Sequence, residues 1–243
     1  MSKVVLITGA AKRIGAACVR ILHSEGFNIV LHYHHSEPEA IKLAAELNAL
    51  RLGSVFIYKA DLLVMDEVQS LVSNASCFFG RVDVLINNAS AFYPTPMGQV
   101  SEFDWGVVMG SNLKAPFFLS QSLGSLLAER QGCIVNIVDI HAERGLPGYS
   151  VYSIAKAGLV AMTRCLAKEL APNIRVNAVA PGAILWPEAE ISDYQKAEIL
   201  SKVALARCGS EMDIAKAVRF LVMDADYVNG QVLAVDGGRL LFS

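Results

Sequence analysis

The sequence predicts a single-domain α/β fold over residues 1–243, organised as a doubly wound parallel sheet of about seven strands with helices on both faces. Three observations carry that reading. Short runs rich in valine and isoleucine recur along the chain and read as buried strands. Longer segments with apolar residues at helical spacing lie between most of them, and such alternation implies parallel strands joined by helical crossovers. Residues suited to ligand chemistry follow several of the runs directly, where right-handed crossovers bring strand ends and helix starts to one crevice.

In chain order, Val4–Ile7 opens the sheet and runs into Thr8-Gly9-Ala10-Ala11-Lys12-Arg13-Ile14-Gly15. That stretch reads as a tight turn into a helix over 14–24. The second run, 28–32, ends in His32-Tyr33-His34-His35-Ser36 and is followed by helical spacing over 39–51. The third, 55–58, precedes Asp61 and Leu62 and then a helical segment over 66–79. The fourth, 84–86, leads into Asn87-Asn88-Ala89-Ser90. The fifth, 133–138, is strongly apolar and ends at Asp139, with a long helical pattern over 151–170. The sixth, 175–179, gives way to Pro181-Gly182, and Val232–Val235 is the seventh. No internal repeat, low-complexity linker or composition shift marks a second domain. The one irregular stretch, 183–192, carries Trp186, Pro187 and several acids. With the helical pattern after it, 183–200 reads as an insert that covers a substrate, and a solvated connector is an equal alternative.

A chain with 53% hydrophobic and 18% charged residues can bury one large core. Its formal net charge of −2, with no basic block, leaves no electrostatic footprint for nucleic acid or for an anionic membrane surface. Small molecules are the expected partners. The first residues lack the long apolar region of a secretory signal, and no stretch approaches a membrane span. Cys18, Cys77, Cys133, Cys165 and Cys208 are odd in number and show neither CxxC nor metal-ligand spacing, as expected of reduced thiols in a cytoplasmic protein.

Tyr152 and Lys156 stand four apart in the helical pattern over 151–170, so they share a face and address one point. An ammonium beside a phenol favours the phenolate, which predicts a lowered tyrosine pKa and easier proton exchange. Asp139, at the end of the fifth run, is the third member. An ionised carboxylate accepts hydrogen bonds only and would repel a developing alkoxide, so a ketone substrate fits this set poorly. Alternatively, Asp139 caps the turn after it.

Gly9 and Gly15 flank a turn whose N–H groups and helix dipole favour an anion such as a pyrophosphate, with Arg13 where a generic fingerprint has another glycine. An acid at the end of the second strand would hold the ribose hydroxyls of NAD, whereas this chain has His32 to Ser36 there. Ser36, the imidazoles of His32, His34 and His35, and the cation of Lys12 or Arg13 can all donate to a 2′-phosphate, which favours NADP(H). Adjacent strand positions point to opposite faces and no carboxylate or cysteine set accompanies the histidines, so no metal site is expected. Asp61 is suited to the adenine amino group, or to capping a helix. Asn87 to Ser90 are suited to lining a ribose, or to forming a turn.

The glycine turn, Asn88-Ala89, Asn112, the Tyr152/Lys156 pair and Pro181-Gly182 occur in an order that resembles the short-chain dehydrogenase/reductase family over the whole chain. Within it the chain resembles the pteridine reductases. The features are Arg13 in the turn, His32-Tyr33-His34 with Ser36, the run Asn87-Asn88-Ala89-Ser90-Ala91-Phe92-Tyr93-Pro94, and Asp139 in place of a serine. This resemblance implies a Rossmann-type fold, a homotetramer, and reduction of dihydropterins (dihydrobiopterin, dihydromonapterin or dihydrofolate) to tetrahydro forms by NADPH. Tyr152 and Lys156 would be the catalytic pair, Asp139 would support the proton supply, and Asn112 would hold a water or backbone group behind Lys156. Gly9, Arg13, Ile14, Gly15, His32 to Ser36 (Tyr33 included), Asp61, Leu62, Asn88, Ala89, Ser90, Tyr152, Lys156, Pro181 and Gly182 would line the cofactor. Phe92 would stack on the pterin, with Arg13, Ser90, Asp139, Tyr152 and Leu185 around it. The chain departs from many relatives at His35, where an arginine is common near the 2′-phosphate, and over 183–192. Two other readings remain open at this point: a carbonyl reductase of the same fold, such as a 3-oxoacyl carrier-protein reductase, and a catalytically silent nucleotide-binding sensor.

Overall fold

All seven runs are strands: β1 (Val4–Ile7), β2 (Asn28–Tyr33), β3 (Val55–Lys59), β4 (Val84–Asn87), β5 (Cys133–Ile137), β6 (Arg175–Pro181) and β7 (Val232–Val235). In the computed structural model, which describes residues 2–184 and 192–242, they form one parallel sheet ordered β3-β2-β1-β4-β5-β6-β7. The reversal of strand order lies between β1 and β4, and the Gly9 turn and the Asn88 segment leave the sheet side by side there. A crevice at this switch point follows from the topology, because the crossovers on its two sides run to opposite faces.

Side-chain alternation along the buried strands builds two separate cores. Val5, Ile7, Ile29 and Leu31 face one layer, made by α1 (Arg13–Ser24), α2 (Glu37–Leu50) and α9 (Glu211–Met223). Val4, Leu6 and Val30 face the other, made by α3 (Met65–Phe79), α5 (Ala115–Ala128) and α7 (Ser150–Glu169). Ala155 and Leu159 of α7 are buried inside the chain, while Met162 and Leu166 on the same helix, 7% and 8% exposed, border a groove beside α5.

Among the described residues, three helices begin with a serine that accepts from the third residue onward, whose own side chain reaches back. These are α4 (Glu102–Met109, Ser101 with Asp104), α8 (Asp193–Ser201, Ser192 with Gln195) and α9 (Ser210 with Asp213). A π-helical turn, Gly110–Lys114, joins α4 to α5 and carries Asn112. Residues His141–Arg144 form the short helix α6 rather than the solvated loop their composition implies, because the Asp139 carboxylate accepts from the His141 N–H at its start. Of the insert expected over 183–200, residues 185–191, with Leu185 and Trp186, lie outside the described residues; the remainder is dominated by α8.

Candidate active site

The turn between β1 and α1 is shaped by two glycines. Gly9 adopts a φ of +59°, and a side chain on it would come within 2.8 Å of the Ala89 Cα. A side chain on Gly15 would come within 2.5 Å of the Gly9 carbonyl, so the helix packs onto the turn only without one. The N-cap residue of α1, Lys12, makes no side-chain cap bond, so among the described residues the first N–H groups of the helix stay open for an anion. Exposed Arg13 sits at φ 51°, in the left-handed region, at the first helical position. Asn88 braces the turn: its amide donates to the carbonyls of Thr8 and Gly9 at 2.8 and 2.9 Å, while the Thr8 hydroxyl accepts from the N–H groups of Asn88 and Ala89. The geometry fits a pyrophosphate held by the first turn of α1.

At the end of β2 the structure divides the residues expected to face a 2′-phosphate. Ser36 is the N-cap of α2 and its side chain makes no cap bond; just before it, the rings of His34 and exposed His35 lie with centroids 3.6 Å apart, tilted by 32°. These three stand at an open helix N-terminus. His32 does not: it is buried, with Nδ1 accepting from the Gly9 N–H and Nε2 beside the Ala60 carbonyl. Tyr33 is buried too, and its hydroxyl donates to Glu37 at 3.0 Å. Both expectations are corrected by strand geometry, which turns His32 and Tyr33 into the two cores. Lys12 is paired with Glu39 at 2.8 Å, leaving Arg13 as the other candidate cation. Asp61 is not the cap of α3, which is Val64; it accepts from the Leu63 N–H at 2.9 Å in a turn ahead of that helix, and has one oxygen 3.9 Å from His34. Asn87 points into the sheet and donates to Asn136 at 2.8 Å, so it does not line a ribose.

The catalytic candidates converge. Tyr152 and Lys156, on one face of α7, are 5% and 2% exposed. The Tyr152 hydroxyl donates to Oδ2 of Asp139 at 2.8 Å, and Oδ1 accepts from the His141 N–H at 2.8 Å. Asp139 therefore caps its turn and holds the tyrosine at once. The Lys156 Nζ donates to the Ile137 carbonyl at 2.8 Å and lies 5.6 Å from the Tyr152 ring centroid, over the ring rather than beside the hydroxyl. Burial, reinforced by Asp139, raises the Tyr152 pKa well above that of a free phenol. The lowered value expected from a neighbouring ammonium is thus overturned: the carboxylate, not the lysine, meets the hydroxyl. Burial pushes Lys156 down to about 8, against the opposing pull of Asp139.

Around this centre, Asn112 is fully buried and receives a hydrogen bond from the Ser90 hydroxyl at 2.8 Å, while its amide donates to the Ala91 carbonyl at 2.9 Å. It positions the Ser90–Ala91 segment and makes no bond to Lys156, as the π-helical turn aims it at that segment. Phe92 follows, 53% exposed, its ring stacked on Tyr149 at 4.6 Å and 14° and meeting Tyr152 edge-on at 4.8 Å. Tyr149, which sequence reasoning sets aside because no lysine follows four residues later, is thus the support of the expected stacking wall; its place three residues before Tyr152 is the signal that points to it. Pro181 ends β6, and a side chain on Gly182 would come within 2.5 Å of the Asp236 Cα.

A family model described as Enoyl-(Acyl carrier protein) reductase matches residues 9–239. The chain is 36% identical over 245 residues to a 3-oxoacyl-(acyl-carrier-protein) reductase of Staphylococcus aureus, which covers 99% of each chain. It is 36% identical over 279 residues to pteridine reductase 1 of Leishmania tarentolae, covering 98% of this chain and 96% of the relative. A 3-oxoacyl-(acyl-carrier-protein) reductase of a Synechocystis species matches at 36% over 246 residues, with 99% and 98% covered. Identity therefore separates the two activities no further. With its parallel sheet, its open glycine turn and its buried tyrosine and lysine, the chain belongs to the short-chain dehydrogenase/reductase family of NAD(P)-dependent oxidoreductases.

Proposed function

We propose that this protein reduces dihydropterins, dihydrobiopterin, dihydromonapterin and dihydrofolate among them, to their tetrahydro forms with NADPH. The observation that carries this reading is the hydrogen bond from the Tyr152 hydroxyl to Asp139. A carboxylate offers about four acceptor sites and this one uses two, on Tyr152 and His141, so it has capacity for the N–H groups along the edge of a pterin. A ketone has no such donor, and its developing alkoxide would meet a negative charge where stabilisation is required. Phe92, braced by Tyr149, supplies an exposed flat face against which a planar ring lies.

Bound NADPH would supply the hydride for the carbon of a C=N bond. The residues of this chain do the rest. Tyr152, kept protonated by burial and by Asp139, holds the proton that the ring nitrogen requires, and Asp139 keeps it at the rim of the slot. Lys156 anchors on the Ile137 carbonyl and brings a positive charge under the reacting centre. The first turn of α1 takes the pyrophosphate; Ser36, His34 and His35 at the start of α2, with Arg13, take the 2′-phosphate. Ile14, Leu62, Ala89, Ser90 and Gly182 complete the cofactor's surroundings, and the protein works as a homotetramer in the cytoplasm.

The carbonyl-reductase reading has one observation in its favour, the equal identity to 3-oxoacyl-(acyl-carrier-protein) reductases. NADPH oxidation measured side by side with dihydrobiopterin, dihydromonapterin, dihydrofolate and an acetoacetyl thioester decides between them. Faster turnover of the pterins is expected; equal or faster turnover of the ketone rejects the proposal.

A further inference from the structure

His32 is 2% exposed, and each polar atom it presents is used inside the chain. The Gly9 N–H donates to Nδ1 at 3.1 Å, which requires an unprotonated Nδ1 and so places the ring proton on Nε2. Nε2 lies 3.0 Å from the Ala60 carbonyl, a fit for that proton. The His32 carbonyl accepts from the Ala10 N–H at 2.9 Å, and the Ala60 N–H in turn donates to Tyr33 at 3.1 Å. One residue thus ties the turn after β1 to the segment after β3 across β2. Two consequences follow. The N–H groups of Gly9 and Ala10 are drawn inward, so the donors left for an anion are those of the first turn of α1. On the far side, Ala60 fixes where the chain leaves β3 towards Asp61 and Leu62. The imidazole touches neither the open face of the glycine turn nor the open start of α2.

We propose that His32 is a positioning residue for the nicotinamide cofactor: a neutral imidazole strut that sets the glycine turn against the end of β3 without itself contacting the cofactor. The inference rests on the nicotinamide assignment of the family and is independent of which substrate is reduced. Burial pushes His32 down to about 4, with the Ala60 hydrogen bond and Asp61 opposing and His34 reinforcing, so the strut is intact at neutral pH. A strut of this kind acts on the pyrophosphate and adenosine, which NADPH and NADH share. Ser36, at the start of α2, acts on the 2′-phosphate alone.

Dissociation constants for NADPH and NADH, read from nicotinamide fluorescence with the full chain, test the strut in His32→Leu, His32→Gln and Ser36→Ala. Losing a buried acceptor and donor together is expected to weaken both cofactors by the same factor, on the order of tenfold, in His32→Leu. His32→Gln, whose amide offers one acceptor and one donor, regains most of that loss, and turnover at saturating cofactor stays within about twofold in both variants, since only binding depends on the strut. Ser36→Ala weakens NADPH and leaves NADH unchanged. Wild-type affinity for both cofactors in His32→Leu overturns the proposal, and so does a loss confined to NADPH, which would make His32 a phosphate ligand. Should His32→Leu not fold, His32→Asn decides: its amide is too short to bridge both neighbours, so equal, intermediate losses for the two cofactors are expected and undiminished affinity overturns the strut. A wild-type chain that binds neither cofactor overturns the nicotinamide assignment itself, before any variant is compared.

Discussion

Tyr152 keeps its proton because its hydroxyl is buried against a carboxylate, and the proposed preference for pterins over ketones rests on this contact. Tyr152→Phe removes the donor and is expected to lower pterin turnover by about 10²- to 10⁴-fold, the range of one general acid, with little change in cofactor affinity; steady-state rates and fluorescence titration measure the two. His32 gives a pH signature of its own. Its folded pKa lies near 4, below the unfolded 6.5, so the unfolded chain takes up the proton first as pH falls. Stability from this group is complete above 6.5 and is lost progressively as pH falls to 4, by about 3 kcal/mol at most. Urea unfolding at several pH values in that window should show the loss in wild type and its absence in His32→Gln; equal slopes would contradict it. At this scale the gathering of Tyr152, Lys156 and Asp139 in one place was legible in the sequence, because their spacing and residue types are local. It misassigned His32, Tyr33 and Asn87, because which face of a buried strand they occupy is set by the neighbouring strands.

Among the elements, the strand, turn and helix formed by β1, Gly9 to Gly15 and α1 carry the least tolerance. Gly15→Ala would place a methyl within 2.5 Å of the Gly9 carbonyl and 2.7 Å of the Asn88 amide. Backbone on one side and a bracing amide on the other cannot move apart without opening the turn. A destabilisation of about 1–3 kcal/mol is expected, together with weaker binding of both NADPH and NADH. Thermal unfolding with and without cofactor checks it, and an unchanged midpoint would contradict the packing described. The strands were legible because continuous apolar, β-branched runs have few alternatives, and α1, α2, α3 and α7 because amphipathic spacing marks them. Helix α4 mixes Phe103 and Trp105, both exposed, with its buried face and shows no such stripe, although the Ser101–Asp104 capping box was there to be read. The π-helical turn at Asn112 has no signature of composition, and the direction of that side chain depends on it.

For the whole molecule, the two-layered core and the crevice at the switch point follow from alternation alone, whereas assembly does not. Met109, Leu113, Phe117, Phe118, Met162 and Leu166 line an apolar groove of about 430 Å³ between α5 and α7, and Leu241 and Phe242 are exposed at the C-terminal end. Sedimentation at micromolar concentration should report four chains per particle, and a monomer would contradict the assembly proposed above. Substrate class remains the centre of the account, and it turns on the carboxylate at 139. The most direct measurement is the ratio of kcat/KM for dihydrobiopterin to that for an acetoacetyl thioester, in wild type and in Asp139→Ser. A ratio well above one is expected in the wild type and a fall of at least about 10²-fold in the variant, with the thioester rate rising as a hydroxyl replaces the charge. A ratio below one in the wild type, or one that Asp139→Ser leaves unchanged, would contradict it.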